Sequence, residues 1–274
     1  MVQYIHTNLN NIKNNKIQSH KFTAWLYNKG WTYYNYQLKT FSEVEEGNDV
    51  LVTSPTGSGK TIAGFLPSII NSNCFQKDVL YTLYISPLKS LSYDIERNLL
   101  KPILDLNLNI SISVRTGDTS SYKKSIQLKK PPNILITTPE SFALLMSYKG
   151  ACKFFKSLKY IVIDELHNLI HTKRGDLLTL NLARLNDFCP KVLKIGLSAT
   201  INDLNTGLNY ITNRKESRIV KNKEKKKLLV SILNTKKEIP WSGYMPTYAI
   251  KDIYKKILFN KSTIIFVNTR AQAE

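Results

Sequence analysis

Ser54-Pro55-Thr56-Gly57-Ser58-Gly59-Lys60-Thr61 stands between the apolar run Val50-Leu51-Val52 and the stretch Ile62-Ala63-Gly64-Phe65-Leu66. The pattern predicts a strand, a tight glycine turn and a helix. Gly57 and Gly59 let the backbone turn its N–H groups inward with no Cβ in the way, and the positive end of the helix faces the anion held there. Lys60 is placed to reach the β- and γ-phosphates of a triphosphate, and the Thr61 hydroxyl to ligate Mg²⁺. Ser54, Pro55, Thr56 and Ser58 complete this nucleotide-binding loop. The generic pattern opens with glycine, and Ser54 takes that place. A glycine-rich connector is the competing reading, but it gives no reason for lysine followed by threonine at the helix start.

Outward from the loop, the chain of 274 residues with 42% hydrophobic content has material for one large α/β domain and the beginning of another. Cys74, Cys152 and Cys189 lie far apart, so neither a CxxC metal site nor a disulfide framework is indicated. With no signal peptide and no apolar run of membrane-spanning length, the expected location is a reducing cytoplasm. A net charge of +19, from 39 basic and 20 acidic residues, favours a polyanionic partner, nucleic acid first. A lysine-rich composition without any ligand behind it would give the same number.

Residues 1–20 are expected to form a flexible polar arm. Phe22, Trp25 and Leu26 predict a short amphipathic helix closed by Gly30, and Tyr33, Tyr34 and Tyr36 lead into Gln37. Gln37 precedes the loop by about twenty residues, and its amide is suited to an adenine edge, with an exposed helix position as the plain alternative. Beyond the loop, strands are predicted at 80–85, 110–114, 134–136, 160–163 and 192–197, and helices at 88–100, 140–148 and 176–186. Such alternation implies a doubly wound, mostly parallel α/β sheet whose function collects beyond the carboxyl ends of the strands.

The loops at those ends carry the remaining chemistry. Asp164-Glu165-Leu166-His167 leaves an apolar strand, where two adjacent carboxylates are costly unless a cation or a catalytic task holds them. Asp164 is assigned to Mg²⁺, largely through water, and Glu165 to polarising the water that attacks the γ-phosphate. Acids favoured by a helix dipole are the alternative. His167 and His171 do not fit a metalloprotease pattern, since Asn168 stands where glutamate is needed; His167 is read as a hydrogen-bond relay. Ser198-Ala199-Thr200 is read as coupling His167 or Asp164 to the γ-phosphate, or else as capping the next helix. Pro87, Lys89 and Ser90, then Arg115, Thr116, Gly117 and Asp118, then Thr138, Pro139, Glu140 and Ser141 form three loops suited to a sugar-phosphate backbone, each also a respectable helix cap.

In that order and spacing, the phosphate loop at 54–61, Asp164-Glu165-Leu166-His167 and Ser198-Ala199-Thr200 resemble the motor motifs of superfamily 2 DEXH-box helicases. Gly30-Trp31, Arg115 to Ser120, Thr137 to Ser141, Lys173-Arg174-Gly175, Pro240-Trp241-Ser242-Gly243 and Phe266 to Glu274 resemble the Lhr-like group, nearest to the ligase-associated DNA damage response helicases. Leu166 stands where that group often has tryptophan. The resemblance, over about residues 20 to 274, implies a RecA-like lobe and an ATP- and Mg²⁺-dependent motor on single-stranded DNA, moving 3′ to 5′. It adds Asn268, Thr269 and Arg270 to the candidate nucleic-acid contacts.

The corresponding division is a first RecA-like lobe at 21–212, a basic linker at 213–245 and the beginning of a truncated second lobe at 246–274, with a helix at 246–258 and a strand at 262–267. Residues 213–237 hold ten Lys or Arg against two Glu. The family's γ-phosphate arginines and accessory domains would follow, so a second chain supplying that lobe is a candidate partner, and residues 1–274 alone are expected to be weak or inactive. An inactive fragment that only binds nucleotide or nucleic acid, or an RNA helicase on the same motor, are the other readings.

Overall fold

The computed structural model describes residues 16–201, 203–223, 229–233 and 246–273. The chain divides into two compact units, Met1–Lys223 and Glu224–Glu274. In the first unit, helices α1 (Lys21–Asn28) and α2 (Asn35–Glu45) precede β1 (Asp49–Thr53) and α3 (Lys60–Ile70). There follow β2 (Thr82–Ile85), α4 (Lys89–Asp105), β3 (Ile112–Arg115), α5 (Ser121–Lys129), β4 (Ile134–Thr137), α6 (Pro139–Met146) and α7 (Ala151–Phe155). The unit closes with β5 (Tyr160–Ile163), α8 (Lys173–Phe188), β6 (Leu193–Ser198), α9 (Leu204–Ile211) and β7 (Ser217–Lys221).

All seven strands form one sheet in the order β3-β4-β2-β5-β6-β1-β7, and every pairing is parallel. The apolar runs follow from this burial. Val50, Val52, Tyr84, Ile134, Ile136, Val162, Ile195 and Leu197 belong to one core, with Phe41 of α2, Phe65 and Leu66 of α3, and Leu99 of α4. Their strand neighbours Leu51, Leu83, Ile85, Leu135, Ile161 and Ile163 belong to the other, with Phe142 of α6, Phe155 of α7, and Leu178 and Leu182 of α8. Alternate residues therefore serve opposite apolar layers, and neither face is left for polar side chains.

In the first unit the predicted strands and helices all appear, with ends shifted by a few residues. The last part of the expected arm is packed: Ile17 is 1% exposed, and Lys16 reaches Glu45 at 3.3 Å. Residues 1–15 lie outside the described residues. At the other end, 217–221, read as part of the linker, form the sheet's outer strand β7 beside β1, and the first unit runs to Lys223.

In the second unit a 3₁₀ turn, Pro246–Ala249, leads into α10 (Ile250–Phe259), and α11 (Arg270–Ala273) lies at its end. The strand expected at 262–267 is not formed: residues 263–267 join no ladder, and Ile264 and Phe266 are exposed. A strand needs a neighbour for its N–H and C=O groups, and none stands beside it among the described residues. Pro240 to Gly243, much of the basic linker and Glu274 lie outside the described residues. No described helix is long and apolar enough to cross a membrane.

Candidate nucleotide site

The glycine loop joins β1 to α3 as the sequence predicts. Gly57 and Gly59 hold φ of 67° and 85°, and Gly59 caps α3. A Cβ at Gly59 would lie 2.7 Å from Gln37 Nε2, so glycine is required there for space as well as conformation. Gln37 is not an exposed helix residue. It is 2% exposed; its Nε2 donates to Gly59 O at 2.9 Å and its Oε1 accepts from Tyr34 N at 2.9 Å. The amide thus joins the start of α2 to the loop, a use that its adenine assignment did not anticipate. Tyr36 Oη adds a bond to Ser58 O at 2.8 Å.

Ser54 earns its position in place of glycine. Asn222, just past β7, donates from Nδ2 to Ser54 Oγ at 2.9 Å, Ser54 Oγ and Ser58 Oγ are 2.6 Å apart, and Ser58 Oγ donates to Pro55 O at 2.5 Å. This chain of bonds locks the loop from inside. Lys60 donates to Ser54 O at 2.9 Å. Its pKa is lowered by burial, opposed by the negative charges of Glu165 and Asp164, which places both carboxylates in its field.

Those carboxylates arrive at the end of β5. Asp164 is 5% exposed; Tyr84 Oη donates to its Oδ2 at 2.7 Å and Glu165 N donates to its Oδ1 at 2.9 Å. Burial raises its pKa, while the Tyr84 bond and Lys60 work against that rise. Glu165 adopts φ 45° and ψ 46°, a left-handed conformation that costs a non-glycine residue on the order of 1–3 kcal/mol and collects at functional sites. Its Oε2 is buried with no hydrogen-bond partner, although His167 Nδ1 stands 3.4 Å away. That imidazole stands close by but makes no hydrogen bond to it. A buried carboxylate oxygen without a donor is a costly vacancy in bonding, one that a water or a hydrated cation satisfies. The glycine cradle, the lysine and the orphaned carboxylate therefore fit a magnesium-bound triphosphate.

His167 Nδ1 is 3.1 Å from Ser198 Oγ, the bond's direction depending on the imidazole tautomer. Ser198 O accepts from Ser54 N at 3.0 Å, so the end of β6 touches both the acidic box and the phosphate loop. Capping of α9 falls to Asp203, which accepts from Asn205 N at 3.0 Å, and not to Ser198 or Thr200. Ala199 is half-buried and Thr200 exposed beside a cavity of about 410 Å³ that includes His167 and His171.

The three remaining loops lie together at the ends of the adjacent strands β2, β4 and β3. Lys89, Ser90, Gly117, Asp118 and Glu140 are exposed, and Arg115 is half-buried. Pro87, Thr116, Thr138, Pro139 and Ser141 are buried, so their side chains are turned away from any ligand at the surface. Thr138 caps α6, and Arg115 is bonded to Lys124 O and Gln127 Oε1. Lys89 pairs with Asp118 at 2.6 Å. A residue with no assigned role in the sequence, Arg174 at the start of α8, bonds Pro87 O at 2.7 Å and Glu140 Oε1 at 2.5 Å, tying two of these loops to the segment after the acidic box. The adjacent Gly175 is explained by packing, since a Cβ there would lie 2.1 Å from Leu169 O. Asn268, Thr269 and Arg270 lie in the second unit, where Asn268 N donates to Gln272 Oε1 at 3.0 Å.

A seven-stranded parallel sheet with this loop, acid pair and serine turn at one edge defines a RecA-like P-loop lobe. The chain belongs to the DEAD/DEAH box helicase family, whose pattern matches residues 34–206. It is 38% identical over 271 residues to the ATP-dependent helicase Lhr-Core of Methanocaldococcus jannaschii, covering 91% of this chain and 32% of that protein. Its fold is similar to the Mycobacterium smegmatis helicase Lhr bound to single-stranded DNA and AMP-PNP, with a TM-score of 0.73 and 30% identity over 93% of this chain and 34% of that one. The DUF1998 helicase MrfA bound to DNA and AMPPNP aligns with a TM-score of 0.72 and 27% identity, covering 92% and 36% of the two chains. The chain thus spans about a third of the length of these relatives.

Proposed function

We propose that this chain carries the ATP-binding lobe of an ATP-driven DNA helicase of the Lhr type, acting in DNA repair in the cytoplasm. The observation that carries the reading is the meeting of Lys60, Asp164 and Glu165 beside a glycine cradle, with one Glu165 oxygen left without a hydrogen-bond partner. Residues 54–61 wrap the triphosphate and Lys60 offsets its charge; Thr61 and Asp164 would hold Mg²⁺, which would supply neutralising charge to the phosphates. Glu165 polarises the water that attacks the γ-phosphate; His167 and Ser198 to Thr200 relay the state of the γ-phosphate; Gln37 serves both the loop and the adenine.

Single-stranded DNA runs over the ends of β2, β4 and β3, gripped by Lys89, Ser90, Arg115 and the backbone of the buried loop residues. Asn268 to Arg270, in a second lobe that begins near 246, are assigned separately as nucleic-acid contacts. The bound DNA in two structural relatives supports this reading. Assayed alone, residues 1–274 hydrolyse ATP slowly and do not unwind, because an arginine reaching across the cleft is worth a thousandfold or more in turnover. Completion by the remainder of a second lobe, on the same or another chain, restores it.

The test is ATP hydrolysis by residues 1–274 completed with a second lobe, with single-stranded DNA or RNA added, comparing wild type with Glu165→Gln. The substitution is expected to lower turnover at least ~100-fold with nucleotide affinity unchanged, and DNA to stimulate more than RNA. Equal turnover in the two proteins would remove Glu165 from its role, and stimulation by RNA alone would favour the RNA helicase reading.

A further inference from the structure

Tyr84 lies on β2, paired in register with Val162 of β5, and is fully buried. Its ring stacks on Phe65 of α3, with centroids 4.5 Å apart and planes 6° from parallel. The stack fixes the ring to the helix that begins at Lys60. A strand residue between a sheet and a helix is ordinarily aliphatic or phenylalanine, because a buried hydroxyl has to find a partner. Here the partner is Asp164 Oδ2, at 2.7 Å, while the other oxygen of the same carboxylate is held by Glu165 N at 2.9 Å. One hydroxyl thus joins the Asp164 carboxylate to a ring stacked on the phosphate-loop helix.

We propose that Tyr84 is a positioning residue of the nucleotide site: its hydroxyl fixes the Asp164 carboxylate, in the orientation set by the phosphate-loop helix, to receive a divalent cation bound to a nucleoside triphosphate. This inference rests on the reading of Asp164 as a metal-holding group. Tyr84 touches neither nucleotide nor metal; it acts through Asp164. The donated bond is charge-assisted, and it leaves Asp164 without freedom to rotate away when the site is empty.

The experiment is the affinity of residues 1–274 for a fluorescent ATP analogue, measured in excess Mg²⁺ and again in EDTA. The ratio of the two affinities is the metal-dependent gain. Tyr84→Phe keeps the ring stack and removes the hydroxyl; it is expected to bind like wild type in EDTA and to lose roughly ten- to hundredfold of the gain. Phe65→Leu loosens the same packing but leaves the hydroxyl in place, and is expected to lose clearly less of the gain than Tyr84→Phe. In an Asp164→Asn background, Tyr84→Phe is expected to change nothing further.

A full gain in Tyr84→Phe, or equal losses in Tyr84→Phe and Phe65→Leu, overturns the inference. Absence of any gain in wild type overturns the nucleotide reading along with it. Should Tyr84→Phe not fold, 3-fluorotyrosine-labelled wild type supplies the answer: a solvent-protected fluorine resonance is expected to shift when Mg²⁺ joins the bound analogue, and no shift in any protected resonance counts against the proposal.

Discussion

At Gly59 three requirements meet in one residue. Its φ of 85° belongs to the left-handed region, its missing Cβ leaves room for Gln37 Nε2, and its carbonyl accepts that same amide. Gly59→Ala meets the left-handed penalty of about 1–2 kcal/mol and displaces Gln37 from its bond. The expected result is a melting temperature lower by several degrees together with weaker nucleotide binding; an unchanged melting temperature would show that the loop relaxes freely. The glycines, Lys60, Thr61, Asp164 and Glu165 were readable from the sequence because each must occupy a fixed place in a short pattern. Ser54, Gln37 and Tyr84 were not readable in the same way. Their partners are Asn222, Gly59 and Asp164, between 22 and 168 residues distant, and no local spacing announces a bond closed by the fold.

Among the elements, those buried on both faces were legible and those at the margins were not. Strands β2, β4, β5 and β6 read as apolar runs because two cores claim their alternate side chains. Helix α5 has almost no such face: Leu128 packs on one core, but the helix's buried residue is Gln127, bonded to Ser113 Oγ and Val114 O, so apolar periodicity gives no sign of it. The outer strand β7, Ser217-Arg-Ile-Val-Lys, carries the charges of a linker and pairs on one side only. Close approach also shapes the elements: a Cβ at Gly64 would meet Val162 Cγ1 at 2.8 Å, so glycine lets α3 lie against the sheet.

Helix α1 begins with an unusual cap, His20, whose Nδ1 accepts from Phe22 N at 3.2 Å. The cap works only while the ring is neutral. Burial, with Lys21 and Lys16 nearby, holds its pKa below the ordinary 6.5. As pH falls below that value the unfolded chain takes up the proton first, so the stability this cap contributes is intact above 6.5 and is lost progressively down to the folded pKa. His20→Asn, which caps without titrating, is expected to remove that component, worth a few tenths to about 1 kcal/mol. Thermal unfolding from pH 7.5 to 5.5 checks it; parallel profiles for the two proteins would contradict it.

Across the whole first unit, the strand order separates two sets of loops along one edge. The ends of β5, β6 and β1 carry the acid pair, the serine turn and the phosphate loop; the ends of β2, β4 and β3 carry the basic and hydroxyl loops. Sequence alternation predicted the sheet, but the order of its strands, and hence this division, emerges only from long-range pairing. Arg174 links the sets, bonding Pro87 and Glu140 from a helix that follows the acidic box; being half exposed, it contributes little to stability as an ion pair.

The central claim is that a triphosphate with its magnesium docks where β1 hands over to α3, facing the end of β5. Titrating ATP with Mg²⁺ into residues 1–274 and into Lys60→Ala tests it most directly. The account predicts saturable binding to wild type and a loss of affinity of at least ~tenfold in Lys60→Ala, the removal of one charge-assisted contact to phosphate. Equal affinity in the two folded proteins would contradict it.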